Sequence, residues 1–288
     1  MSELRLRTVD AFTDQAFAGN PAGVVVLTGL PTAKWMAALA GELNLAETAF
    51  VIAEELPDAD YRLRWFTPAV EVDMCGHATL AAAHCLFSDG VTSPVRFATR
   101  SGVLTVWALP DGSLAMDFPA NAAVEIPLSE ELAGRVEAAL GARPVWLGRG
   151  GTDDLLVELA DARTVRELAP DLAAVARFEV RGIIVTAAAD ADGHDFVSRF
   201  FGPRVGVPED PVTGSAHTVL GPYWAAKLGR SELVGLQVSA RSGVVGVSLR
   251  GDRVQLTGRA VSMLDARLAP SAMPASLPGA STLPGAST

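Results

Sequence analysis

Arg64-Trp65-Phe66-Thr67-Pro68 recurs further along the chain as Arg199-Phe200-Phe201-Gly202-Pro203. Two more segments follow in the same order. Gly76-His77-Ala78 returns as Gly214-Ser215-Ala216, each opening an alanine-rich apolar stretch, and Arg100-Ser101-Gly102-Val103 returns letter for letter as Arg241-Ser242-Gly243-Val244. The offsets are 135, 138 and 141 residues, so two copies of one unit differ only by small insertions. A duplicated chain is expected to build two similar halves with a ligand cleft between them.

Working outward from these segments gives the elements. Thr8 to Phe12 and Gly23 to Leu27 read as strands around a turn at Gly19-Asn20-Pro21. Lys34 to Leu43 has helical spacing, Thr48 to Ile52 and Tyr61 to Phe66 read as strands, and 78–87 is a helix apolar on every side. Phe97 to Leu109 and Gly112 to Phe118 form a strand pair around Pro110-Asp111-Gly112. In the second copy, Ser129 to Leu140 is amphipathic, and Thr164 to Ala176 is helical with a break near Pro170. Leu155 to Leu159, Gly182 to Thr186 and Phe196 to Phe201 are strands, and 216–228 is the second apolar helix, stopped by Gly229. Val234 to Ala240, Val244 to Leu249 and Arg253 to Gly258 close the copy. The fold class is therefore α+β: two pseudo-symmetric halves, each a curled mixed sheet wrapped around one central helix. The halves are placed at 1–118 and 119–266. The tail, 267–288, ends in a doubled Leu-Pro-Gly-Ala-Ser-Thr and reads as disordered.

The 288 residues are 49% hydrophobic and 19% charged, a composition that excludes a largely disordered chain. The net charge of −10, without a basic cluster, argues against nucleic acid. No run of 18 apolar residues exists to span a membrane, and the first residues lack the apolar core of a signal peptide. Cys75 and Cys85, if on one helix, lie roughly 15 Å apart, too far for a disulfide. Free thiols point to the cytoplasm.

Each central helix opens at a glycine, where unpaired N–H groups and a partial positive charge attract carboxylates and oxyanions. Gly76-His77 and Gly214-Ser215 are thus candidate anion binders, although glycines there also permit tight strand-to-helix turns. Asp210 either caps the second helix or holds a substrate amine or hydroxyl. His77 is placed to face the site, His84 and His217 read as structural, and His194 as solvated. Glu47, at the mouth of an apolar strand, is either an exposed loop glutamate or a buried acid–base whose pKa burial raises. Zinc-ligand spacing, a nucleophile elbow, a P-loop and a dinucleotide fingerprint are all missing.

Asp10-Ala11-Phe12, Gly19-Asn20-Pro21-Ala22-Gly23, Asn44-Leu45-Ala46-Glu47-Thr48, Cys75-Gly76-His77-Ala78-Thr79 and Glu209-Asp210-Pro211-Val212-Thr213-Gly214-Ser215-Ala216-His217 together resemble the phenazine-biosynthesis-like (PhzF-like) family of isomerases. The resemblance runs from about Leu6 to Val261 and implies the diaminopimelate-epimerase-like fold, a homodimer, and neither cofactor nor metal. It also implies that Glu47 moves a proton between substrate carbons while Asn20, His77, Asp210, Gly214 and Ser215 bind the substrate. At Ala46 the family often carries serine. The change removes one hydrogen bond to a substrate polar group and bears on whether the phenazine precursor is the substrate.

The reading is therefore a cofactor-independent isomerase acting on a small carboxylate or amino-acid-like substrate. Two alternatives stay open: an epimerase with Glu47 and Cys75 as opposed bases, and a non-catalytic binding protein that retains the fold. Epimerases of this fold use two thiols, each before a helix-opening glycine. Here Thr213 stands where the second would be, which disfavours a two-thiol racemase.

Overall fold

The structure, a computed structural model, describes residues 4–275. In chain order the strands are β1 (Arg5–Ala11), β2 (Asn20–Leu27), β3 (Glu47–Ile52), β4 (Tyr61–Phe66), β5 (Glu71–Val72), β6 (Val95–Thr99), β7 (Gly102–Ala108), β8 (Leu114–Pro119) and β9 (Val124–Glu125). They continue as β10 (Trp146–Arg149), β11 (Asp154–Glu158), β12 (Gly182–Ala188), β13 (Phe196–Gly202), β14 (Val207–Asp210), β15 (Glu232–Gln237), β16 (Gly243–Arg250), β17 (Arg253–Gly258) and β18 (Ala260–Arg267). The helices are α1 (Ala33–Leu43), α2 (Gly76–Ser88), α3 (Glu130–Leu140), α4 (Ala162–Glu167), α5 (Leu172–Val175) and α6 (Gly214–Leu228). Among the described residues no helix is long and apolar enough to cross a membrane.

The described residues divide into one unit of 4–117 plus 258–275 and a second of 118–257. In the first, β1 lies antiparallel between β18 and β2. Next, β2 runs parallel to β3, β3 antiparallel to β4, β4 parallel to β6, and β6, β7 and β8 antiparallel in turn. The short β5 pairs on the side with β4. Helix α2 packs against β1, β2 and β3. Every residue of β3 after Glu47 is buried, because α2 covers one face and α1 the other. On the α1 side, Val25, Leu27, Met36, Phe50 and Ile52 form the core.

The second unit repeats this topology strand for strand. β10 is antiparallel to β9 and β11, β11 parallel to β12, and β12 antiparallel to β13. Then β13 runs parallel to β15, and β15, β16 and β17 alternate, with β14 on the side of β13. Helix α6 takes the place of α2, and α3, α4 and α5 close the other face over Val157, Ile183, Val185 and Phe201. The two halves, each a sheet around a central helix, are those the repeats imply.

The differences in detail have local causes. The run expected as one strand over Phe97 to Leu109 is broken into β6 and β7 by a turn in which Gly102 takes φ +98°. The matching turn before β16 puts Ser242 at +59°. The repeated Arg-Ser-Gly-Val is thus a hairpin turn used twice. Strand β18, grouped by sequence with the second half, pairs with β1 and belongs to the first unit. It is mostly exposed and held by backbone ladder bonds, so it lacks the alternation that marks a strand. Residues 268–275 of the expected disordered tail pack on the first unit: Leu268 and Met273 join its core, and Trp35 Nε1 donates to the Ala272 carbonyl at 2.9 Å. The doubled segment Leu277 to Thr288 lies outside the described residues.

Candidate active site

The pairing of β2 with β3 sets Ala22 opposite Glu47, so the strand beginnings that carry Asn20 and Glu47 lie side by side. Helix α2 begins at the same end. Its N-cap, Cys75, is extended and supplies no side-chain cap, which leaves the first-turn N–H groups to other acceptors. His77, the second helical residue, meets both strands. Its Nε2 lies 3.2 Å from Glu47 Oε2, its Nδ1 3.2 Å from the Asn20 side-chain amide, and the Cys75 sulfur 3.5 Å from Nδ1. The His77 side chain is 5% exposed and that of Glu47 17%. Gly19 positions Asn20: its φ is +64°, and a Cβ there would stand 2.2 Å from the Ala11 carbonyl oxygen.

The expected raised pKa of Glu47 is reversed. Burial alone pushes the carboxyl up, but the charge and hydrogen bond of His77, helped by Cys75, hold it below the usual carboxylate value. Burial likewise disfavours the imidazolium, yet His77 is raised well above its ordinary value; with the Cys75 thiol protonated, the charge that holds it there is the Glu47 carboxylate. The two therefore stand as an ion pair at neutral pH. An imidazolium donates from both ring nitrogens, so it calls for the carbonyl end of the Asn20 amide to face Nδ1. The Cys75 thiol is pushed up to about 11 by burial and the neighbouring carboxylate, and stays protonated.

In the second unit α6 also begins after an extended N-cap, Thr213, with no side-chain cap. The N-cap position is Thr213, three residues after Asp210. The Asp210 carboxylate accepts the Thr213 hydroxyl at 2.6 Å. Gln237, fully buried, accepts the Thr213 N–H at 2.8 Å and donates to the Asp210 carbonyl at 2.7 Å, so one side chain ties down the loop before Gly214. His217 is structural, as expected: Nδ1 donates to the Thr213 carbonyl at 2.8 Å, and burial lowers its pKa to about 4. Ser215 Oγ accepts from Arg181 Nη2 at 3.0 Å. Gln237 and Arg181 went unnoticed in the sequence, where nothing distinguishes them from other polar residues beside strands.

The first repeated segment also has a use. Arg64 grips Glu71 through two bonds of 2.7 Å with its guanidinium over Phe66, and Arg199 grips Glu209 at 2.7 and 2.9 Å over Phe201. Each clamp pins the strand that leads into a helix-opening loop. The structure thus gathers Asn20, Glu47, Cys75, Gly76 and His77 in the first unit, and Asp210, Gly214 and Ser215 in the second.

Glu47, Cys75 and His77 offer one possible metal-ligand atom each, all within 4.8 Å of one another. A metal there would have to displace protons from both the thiol and the imidazolium. The spacing also bears on two-base chemistry. Bases flanking one carbon, each at ~3–3.5 Å, stand about 6–7 Å apart. Glu47 and Cys75 are closer than that.

Comparison with known proteins agrees with this architecture. The chain belongs to the phenazine biosynthesis-like protein family, which matches residues 9–266. An uncharacterized isomerase of Pseudomonas aeruginosa is 48% identical, over 92% of this chain and 99% of that protein. The crystal structure of a phenazine biosynthesis protein of the PhzF family from Enterococcus faecalis superposes with a TM-score of 0.86 at 37% identity, covering 93% of this chain and 100% of that one. A probable proline racemase from Agrobacterium radiobacter shares the fold alone, with a TM-score of 0.62 at 13% identity over 93% of this chain and 95% of that one.

Proposed function

We propose that the protein is an isomerase that moves a proton on a small carboxylate or amino-acid-like substrate, with Glu47 as the general acid–base. The observation that carries this reading is the Glu47–His77 pair, set at the uncapped start of α2 beside Asn20. Glu47 is ionised in the free protein and so begins as a base. It takes a proton from a carbon beside the substrate carboxylate, and the negative charge left behind spreads onto the substrate oxygens. N–H groups at Gly76 and His77 are suited to stabilise that charge, and those at Gly214 and Ser215, with the Ser215 hydroxyl, to bind a carboxylate. Protonated Glu47 then returns the proton to another carbon, and no net oxidation or group transfer occurs. A substrate anion beside His77 would share the imidazolium and lift the Glu47 pKa toward working pH, the direction proton return needs. Asn20 and Asp210 hold polar substrate groups in this scheme. The chemistry calls for no cofactor.

The two-base epimerase reading is weaker because the Cys75 thiol, at about 11, is a protonated neighbour of Glu47. A purely binding role leaves a buried, polarised acid without a use. The test is incubation of the protein in heavy water with a panel of cyclic and α-amino carboxylates, followed by proton NMR. Loss of one carbon-bound proton signal or a shifted double bond is expected for at least one compound. A panel without exchange or interconversion would count against the reading.

A further inference from the structure

The duplication carries an acid in one copy only. Thr48 of β3 pairs with Phe66, and Ile183 of β12 pairs with Phe201, the matching residue of the repeat. Stepping back one residue places Gly182 at the position of Glu47. Arg181 comes immediately before Gly182. β11 and β12 run parallel with Asp154 opposite Gly182, which sets Arg181 against the Asp154 carboxylate. Its Nε lies 3.0 Å from Asp154 Oδ1, its Nη2 also meets Oδ2, and the guanidinium sits 5.1 Å over the Phe200 ring. Asp154 is fully buried and receives the Thr152 hydroxyl as well. From this anchored fork Nη2 reaches Ser215 Oγ at 3.0 Å.

The geometry points to Arg181 as the positioning residue of the α6 subsite, orienting the Ser215 hydroxyl to donate to a substrate carboxylate. This inference rests on the proposed reading of Ser215 as a carboxylate binder. Arg181 occupies a lone pair of the Ser215 oxygen. With its oxygen accepting from Arg181, the Ser215 hydroxyl has its own proton to donate, and a substrate carboxylate is an acceptor of the right kind. Asp154 matches the charge of Arg181, so the pair supplies direction more than net charge. Two anchored bonds to a buried carboxylate hold the guanidinium rigid, as a bidentate fork does and a lysine does not.

Sodium benzoate, a planar carboxylate, is the probe, and the backbone amide signals of Gly214 and Ser215 in the 15N-labelled full chain are the readout. Wild type should show saturable shifts at both. Arg181→Met and Ser215→Ala should each weaken binding by about tenfold, the scale of one charge-assisted hydrogen bond. The double variant should bind no worse than Ser215→Ala alone, since Arg181 acts through Ser215. Unchanged binding by Arg181→Met, or an equal further loss in the Ser215→Ala background, overturns the inference while the carboxylate reading of the helix start stands. An absence of shifts at Gly214 and Ser215 in wild type sinks both. If Arg181→Met does not fold, Arg181→Lys decides. It keeps a cation for Asp154 but cannot serve Asp154 and Ser215 with one fork, so wild-type affinity in that variant overturns the inference.

Discussion

His77 Nε2 stands 3.2 Å from Glu47 Oε2, joining the second residue of α2 to the first residue of β3 across thirty residues of chain. The pair decides the protonation state from which the free protein starts. Burial by itself raises the Glu47 pKa; His77 reverses that shift, so Glu47 is a base and His77 a cation.

This pairing fixes a pH window. Glu47 has a folded pKa below its usual 4.5, so its contribution to stability is present above 4.5 and lost as pH falls through the lower folded value. His77 is raised well above 6.5, so its contribution is complete below 6.5 and lost as pH rises through the folded value. The difference in melting temperature between wild type and Glu47→Gln should therefore be largest between about pH 4.5 and 6.5 and shrink on either side. For an active substrate, kcat/KM should fall on the acid side below 4.5 and on the alkaline side only above 6.5. A melting difference that stays flat from pH 4 to 9 would show that the pair is not charged.

The same pair marks the limit of sequence reading. Tyr61 to Phe66 alternates along one face and is read as β4 to the residue, and the repeats announce the shared topology. Glu47 and His77 are visible as candidates because motif and helix start single them out. The direction of the Glu47 shift is not visible, because it depends on a neighbour brought close only by the packing of α2 on β3. Arg181 is hidden for the same reason: the β11–β12 pairing, not spacing along the chain, gives it Asp154. Strand β18 escapes because ladder bonds leave no hydrophobic pattern.

Burial should make the two thiols sluggish. Cys75 is raised to about 11 and Cys85 to about 12, so at pH 7.5 only roughly one Cys75 in several thousand is thiolate. Iodoacetamide should modify Cys75 in the native protein at least ~100-fold more slowly than free cysteine, as followed by intact mass. Alkylation of Cys75 at the free-cysteine rate would reveal a thiolate in the site and restore the epimerase reading.

Two glycine substitutions should act in opposite directions. Gly19→Ala puts a methyl against the fixed Ala11 carbonyl at φ +64°, so it should lower the melting temperature by several degrees and disturb Asn20. Gly134 is exposed within α3, and a Cβ there meets nothing within 4 Å. Gly134→Ala should raise the melting temperature by about 1–3 °C through helix propensity and a less free unfolded chain. Calorimetry on both variants checks the pair. A Gly19→Ala protein as stable as wild type would mean that the loop leading to Asn20 relaxes freely.

The catalytic assignment itself rests on Glu47→Gln. Glutamine keeps the length of the side chain and a hydrogen bond toward His77, but it cannot take or return a proton. With an exchanging carboxylate in hand, turnover should fall by at least ~100-fold while KM changes little, the pattern of a group needed in the transition state more than for binding. Wash-in of deuterium at the reacting carbon should fall with it, because the group that removes the proton is also the one that exchanges with solvent and delivers deuterium back. Cys75→Ala should cost only a few-fold, since the protonated thiol lines the site. In an epimerase with opposed bases, both variants would lose turnover, and each would retain exchange from one face of the carbon. Paired measurement of turnover and exchange therefore separates the schemes, and wild-type turnover in Glu47→Gln would remove Glu47 from the chemistry.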